Sequence, residues 1–300
     1  MGLMSHSHTS AANANRGRLA VVFAITLVVF VVELAGGFLA NSLALLADAG
    51  HVFTDVAGIG LALAAIWFAG RPATEDRTFG YLRLEILAAV VNAVLLFGVA
   101  AVVLVEAWRR LSDPPEIASG LMLAVALLGL AANATSLYLL RDAQRESLNM
   151  RGAYLEVMGD LAGSAAVIVA AAIIALTGFT AADAIASAVI GLLIIPRTWH
   201  LLRDAVDVLL EATPKGIDLD LVRRHILEAP GVADVHDLHV WTITSGMNVV
   251  SAHVVLRDGA EPPAVLDFLC GCLSGDFDIE HSTFQLEAAD RRRLEAANHA

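Results

Sequence analysis

The stretch LLADAGHVFTDVAGIGLALAA, residues 45–65, is apolar enough to cross a bilayer, yet it carries Asp48, His51 and Asp55. A charge at the centre of a membrane helix costs about 2.5–3.5 kcal/mol on insertion scales, so these groups need a reason to be there. His51 and Asp55 are four residues apart, which stacks them on one face of a helix. A second apolar stretch, NMRGAYLEVMGDLAGSAAVIVAAAII from residue 149, repeats the interval with Glu156 and Asp160. Two helices packed through these faces aim four side chains at one point. One imidazole nitrogen and three carboxylates make a shell suited to Zn²⁺. Small residues nearby, among them Ala49, Gly50, Gly58, Gly159, Gly163 and Ser164, let two backbones approach closely. Polar residues in membrane helices also serve as glue between helices, worth only about 0.6 kcal/mol on average. That reading fits one isolated polar residue better than two matched pairs. Asp48, three residues before His51, lines an access route or adjusts His51. Glu33, Asn92 and Glu106 read as packing, capping or vestibule groups.

Hydrophobic residues make up 57% of the 300-residue chain, a composition that points to a polytopic membrane protein. Six apolar runs are each long enough for a hydrocarbon core about 30 Å thick: 19–39, 43–69, 82–111, 117–140, 152–177 and 181–205. They form an all-α six-helix transmembrane domain over 19–210, between a disordered tail at 1–18 and a soluble domain at 211–290 that ends in a tail at 291–300. Arg16, Arg18, Arg71, Arg77, Arg83, Arg141, Arg145, Arg151, Arg197 and Arg203 fall on one side of this layout, and only Arg109 and Arg110 on the other. The positive-inside rule then places both termini in the cytoplasm. The expected location is the cell (inner or plasma) membrane, crossed several times. No cleavable signal precedes the first span. The net charge of −12 says little by itself, and no nucleic-acid partner is expected.

Residues 211–290 read as a small α+β unit in the order αββαβ. IDLDLVRRHILEAP has helical spacing; VADVHDLHVWTIT and VVSAHVVLR are strands around the turn SGMN. PPAVLDFLCGCLS is a helix opened by prolines, and EHSTFQLEA is a last strand. His236, His239, His253 and His281, with Glu287, gather on these strands. Side chains alternate along a strand, so His236 and His239 face opposite ways unless a bulge intervenes. Cys270 and Cys272 read as structural thiols, and His6 and His8 as incidental residues of the tail.

NSLALLADAGHVFTD, RTFGYLRLEILAAVVNAVLL, SLNMRGAYLEVMGD and VHDLHVWTITSG together resemble the cation diffusion facilitator family, and within it the cobalt–zinc–cadmium resistance branch. The resemblance covers span 1 to about residue 287. It implies a homodimeric efflux transporter, not an enzyme, that exchanges cytoplasmic divalent metal for protons. It places the transport site on His51, Asp55, Glu156 and Asp160. Glu156 stands where many members have histidine, which substitutes a hard oxygen and adds a negative charge. Zn²⁺ is the expected cargo, with Co²⁺ and Cd²⁺ tolerated, and His51 argues against Mn²⁺. The family's loop site between spans 2 and 3 lacks its histidines here, leaving Glu75 and Asp76 as a solvated charged loop. The resemblance further implies a ferredoxin-like cytoplasmic domain and an interdomain salt bridge from Arg83 to Glu211. It also implies a structural or regulatory Zn²⁺ on His236, His253 and Glu287, with His239 and His281 as second choices. No other cofactor is expected. Spans 1, 2, 4 and 5 are expected to rock against dimer-forming spans 3 and 6. His51 exchanges protons naturally, since an unperturbed imidazole titrates near pH 6.5. The principal alternative is a proton-coupled organic cation exporter, which needs an aromatic-lined cavity. A metal sensor that does not transport is another. A metallohydrolase lacks support, since there is no HExxH pattern.

Overall fold

The computed structural model describes residues 8–142, 148–279 and 281–288. His6, Arg145 and the tail after residue 290 lie outside the described residues, as do the side chains of His8, Arg16, Arg18 and Arg151. The element order is α1 (His8–Ala40), α2 (Leu43–Ala69), α3 (Leu84–Ser112), α4 (Ser119–Leu140), α5 (Leu148–Thr177), α6 (Ala181–Leu209), α7 (Leu219–Glu228), β1 (Val232–Thr244), β2 (Met247–Leu256), α8 (Pro262–Phe277) and β3 (His281–Glu287). Two compact units result, residues 1–60 with 91–200 and residues 61–90 with 201–300.

The first unit is helical because a chain in hydrocarbon must satisfy every backbone N–H and C=O internally. Among the described residues, five stretches are long and apolar enough to cross a membrane: Ala20–Ala40, Leu84–Ser112, Ser119–Leu140, Ala153–Thr177 and Ala181–Leu209. Helix α2 is 27 residues long, enough to span as well. Helical backbone reaches back to His8, into the stretch expected to be an unstructured tail through residue 18. AANAN, residues 11–15, offers helix-favouring alanine and no proline, so winding continues past the apolar span. Large side chains such as Val28, Val102, Trp108, Leu128, Leu176 and Leu193 point outward, as lipid contact requires. The core is built of small and branched residues, among them Ala44, Leu45, Ala100, Met122, Val167 and Ala171. Gly163 and Gly129 are needed for close approach. A Cβ at Gly163 would come within 2.8 Å of Asp48 Oδ1, and one at Gly129 within 2.6 Å of Glu33 Oε1. Two buried carboxylates thus fit against α5 and α4 only because those positions are bare.

The second unit carries a three-stranded sheet in the order β1-β2-β3, with β1 and β2 antiparallel and β2 and β3 parallel. With α7 and α8 the order is αββαβ, as expected. Asp218 caps α7 by accepting from the backbone N–H groups of Asp220 and Leu221. Prolines open α8, and Asp278 in the left-handed region closes it. Val222, Ile226, Val235, Val250, Val254, Leu269 and Leu273 form the core between sheet and helices. In this unit the Glu85 carboxylate, at the start of α3, accepts from the hydroxyls of Thr244 and Ser245 in the β1–β2 turn.

Candidate metal centres

Helix α2 presents His51 and Asp55 one turn apart, and α5 brings Asp160 to meet them. His51 Nε2 lies 3.6 Å from Asp55 Oδ2 and 3.7 Å from Asp160 Oδ1. One ligand atom from each of the three residues lies within 4.8 Å of the others. These separations are too long for hydrogen bonds. They match ligand atoms sharing one ion: donors at 2.0–2.2 Å on a tetrahedral metal stand about 3.4 Å apart. Asp160 Oδ1 is buried and has no hydrogen-bond partner among the described residues. Buried polar atoms are ordinarily paired, so the trio has donor capacity that a cation would absorb.

Three of the four expected ligands converge, and the fourth is held aside. Arg197 Nη2, from α6, donates to Glu156 Oε1 at 2.6 Å, and no Glu156 oxygen joins the group formed by His51, Asp55 and Asp160. Glu156 nonetheless stands beside Asp55. The physical reason is charge: the Arg197 guanidinium is a cation within hydrogen-bond reach of the carboxylate. Arg197 had the look of a cytoplasmic-side charge in the sequence; its pairing with Glu156 is not visible there.

Asp48 and Glu33 are almost wholly buried, at 3% and 1% exposure. Their charges act on each other and on Asp160. Glu33 Oε2 has no hydrogen-bond partner among the described residues. A continuous acidic environment therefore extends from the trio to α1. Glu106 instead pairs with Arg109 and Arg110. Trp67, Trp108 and Trp199 are exposed.

The second cluster sits on the sheet. His236 and His253 face each other across the β1–β2 pair, and Glu287 of β3 lies on the same surface. His253 Nδ1 is 2.9 Å from Glu287 Oε1, and His236 Nε2 is 3.2 Å from Glu287 Oε2. Two imidazoles and a carboxylate with ligand atoms within 4.8 Å of one another fit Zn²⁺ as a donor set. The register of β1 shifts between His236 and His239, where Asp237 adopts φ +51°. This is the bulge that lets the two histidines escape strict alternation. His239 is exposed and 3.0 Å from Asp237 Oδ1, while Asp237 Oδ2 lies 3.8 Å from His253 Nε2. Asp237 thus borders the trio and was missed in the sequence. An acidic residue tolerant of the left-handed region inside HDLH was the available signal. His281 packs against the Phe79 ring, apart from the cluster. Cys270 and Cys272 are free thiols on α8. Burial, and then the neighbouring Asp276 charge, push the Cys272 thiol up from its ordinary range.

Arg83 Nη2 donates to Glu211 Oε1 at 2.6 Å, with the two side chains 40% and 55% exposed. A pair this exposed contributes about 0.2–1 kcal/mol. Arg83→Glu and Glu211→Arg are each expected to lower thermal stability slightly, and the double reversal to restore it. Additive losses in melting experiments would show that the two charges act separately.

Residues 19–210 match the family model for the cation efflux transmembrane domain, and residues 214–289 that for the cation efflux protein cytoplasmic domain. The chain is 46% identical to the metal cation efflux system protein CzcD of Cupriavidus metallidurans, covering 98% of this chain and 93% of the relative. It is 43% identical to the zinc transporter ZitB of Escherichia coli, over 94% of this chain and 92% of that protein. It is 39% identical to a cadmium, cobalt and zinc/H(+)-K(+) antiporter of Bacillus velezensis, over 95% and 93%. Among solved structures, the metal-bound C-terminal domain of CzcD from C. metallidurans is similar at 43% identity, covering 24% of this chain and 99% of that one, with a TM-score of 0.23.

Proposed function

This chain belongs to the cation efflux family of membrane transporters, and is thus no enzyme; from that premise we propose that it exports Zn²⁺, with Co²⁺ and Cd²⁺ accepted, in exchange for protons. The observation that carries the reading is the trio His51, Asp55 and Asp160, with ligand atoms within 4.8 Å of one another. Its buried Asp160 Oδ1, unpartnered among the described residues, supports it. Glu156 completes the shell once released from Arg197. The mixed nitrogen and oxygen donor set favours Zn²⁺ over Mn²⁺. The names of the relatives, which include zinc, cadmium and cobalt carriers, support the same cargo.

Ligands must shed protons to take up a metal ion, so loading from the cytoplasm releases protons and unloading on the far side recaptures them. Alternating access of the shared site in a homodimer turns that linkage into transport. The exposed apolar residues of α3, such as Val94, Val102 and Val105, are available to a partner or to lipid. The uneven spread of arginine supports cytoplasmic termini. His236, His253 and Glu287 would hold a second Zn²⁺, structural or regulatory, supplying a cross-strand tie rather than a transport step.

The deciding experiment is uptake of Zn²⁺, Co²⁺, Cd²⁺ and Mn²⁺ into vesicles containing the purified full chain, with and without an imposed pH gradient. Zn²⁺ uptake driven by the gradient is expected. Uptake indifferent to the gradient removes proton exchange, and a preference for Mn²⁺ removes the donor-set argument. For the cytoplasmic trio, Glu287→Gln is expected to lower Zn²⁺ bound per chain by one ion at equilibrium dialysis while vesicle transport persists. An unchanged binding number rules out that site.

A further inference from the structure

We propose that Arg197 is an internal competitor of the transported cation: it holds Glu156 off the transport site and gives it up only when a dication arrives. The inference rests on the reading that Glu156 is the fourth ligand. Arginine inside an apolar helix is rare, and it pairs with something. Here its partner is the one expected ligand absent from the trio, at 2.6 Å. Glu156 lies one turn from Asp160 on the same face of α5 and stands beside Asp55. A side-chain rotation, with no helix movement, therefore separates the two partners of its carboxylate. Arg197 also acts electrostatically on Asp55 and Asp160. In the empty site the guanidinium offsets the mutual repulsion of three acids. In the loaded site it repels the ion.

The setting of Arg197 suits a side chain that changes partners. Pro196 precedes it within α6, so the helix lacks the backbone bond from residue 196 to the Leu192 carbonyl. The Arg197 and Glu156 side chains are 52% and 35% exposed, neither sealed into a static buried pair. The consequence is functional. A carrier must bind its ion firmly enough to load and weakly enough to release it. Charging each binding event with the rupture of an ion pair lowers the apparent affinity by the fraction of time Glu156 is free. Arg197 thereby sets release.

The test is Zn²⁺ affinity of the purified full chain, measured by chelator competition in the Glu287→Gln background so that the cytoplasmic trio does not contribute. Arg197→Gln is expected to tighten Zn²⁺ binding roughly two- to fivefold, the worth of one partly exposed ion pair, and to slow turnover in vesicles. Arg197→Lys keeps the charge and is expected to stay near wild type, which separates competition from simple packing. Most of the gain is expected to vanish in Glu156→Gln. If Glu156→Gln itself leaves affinity unchanged, the fourth-ligand reading fails. If it weakens binding but Arg197→Gln does not tighten it, or tightens it equally in both backgrounds, that reading stands and the competitor role is overturned.

Discussion

Asp160→Ala is expected to abolish Zn²⁺ uptake into vesicles while leaving the protein folded. The asymmetry comes from what Asp160 does not touch. Its buried Oδ1 makes no hydrogen bond among the described residues, so truncation leaves no donor unsatisfied at that atom, the usual source of large destabilisation. Transport has the opposite dependence. Asp160 is the only member of the trio contributed by α5, so without it that helix reaches the ion through Glu156 alone, a carboxylate already engaged by Arg197. Loss of groups that merely orient ligands costs about 10–100-fold in metal affinity; loss of a ligand itself is expected to reach at least the upper end, about a hundredfold in uptake at limiting Zn²⁺. A residue acting as helix glue would behave the other way round, with a lower melting temperature and transport largely kept. Uptake above a tenth of wild type by a well-folded Asp160→Ala protein would take away the coordination argument.

Much of this was legible because charge is conspicuous in an apolar helix. The interval His51 to Asp55, and its repeat at Glu156 and Asp160, named the helices and faces that meet, and the limits of α2 at Leu43–Ala69 fall where the apolar run does. The β–turn–β pattern around SGMN and the prolines before α8 likewise gave the order of the soluble domain. What stayed hidden has a common physical cause. A soluble helix announces its buried face by apolar periodicity, whereas a membrane helix is apolar toward both lipid and core. Which residues Arg197 and Asp183 face is therefore not written in their own helix. Glu33 shows the same blindness: its burial depends on Gly129 of α4 being bare, a fact about packing across nearly a hundred residues of chain. Asp237 was obscured differently, since strand alternation predicts side-chain direction only until a bulge interrupts it.

The second large effect is expected far in sequence from any ligand, at Asp183. Helix α2 begins at Leu43, and its first N–H groups have no intrahelical acceptor. Ser42 Oγ accepts from the Leu45 N–H at 3.2 Å, a cap that NSLALL advertises. The stronger cap comes from α6. Asp183, with no exposed surface, accepts from Ser42 Oγ at 2.6 Å, Leu43 N–H at 2.7 Å and Ala44 N–H at 3.1 Å. Its charge also complements the positive end of the α2 dipole, and Arg110 Nη1 stands 3.8 Å from Oδ2 while donating to the Asn41 carbonyl at 2.7 Å. Asp183→Ala leaves three buried donors unsatisfied, at about 1–3 kcal/mol each. Using the size scaling for a protein domain of this order, a fall in melting temperature on the order of 10 °C is expected. Asp183→Asn keeps one acceptor in place but loses the charge, so it should fall between Ala and wild type. Transport should decline in the same order, because His51 and Asp55 sit on the helix whose start is being released. A shift of less than about 3 °C for Asp183→Ala, near 1 kcal/mol, would mean that α2 is positioned by its packing alone.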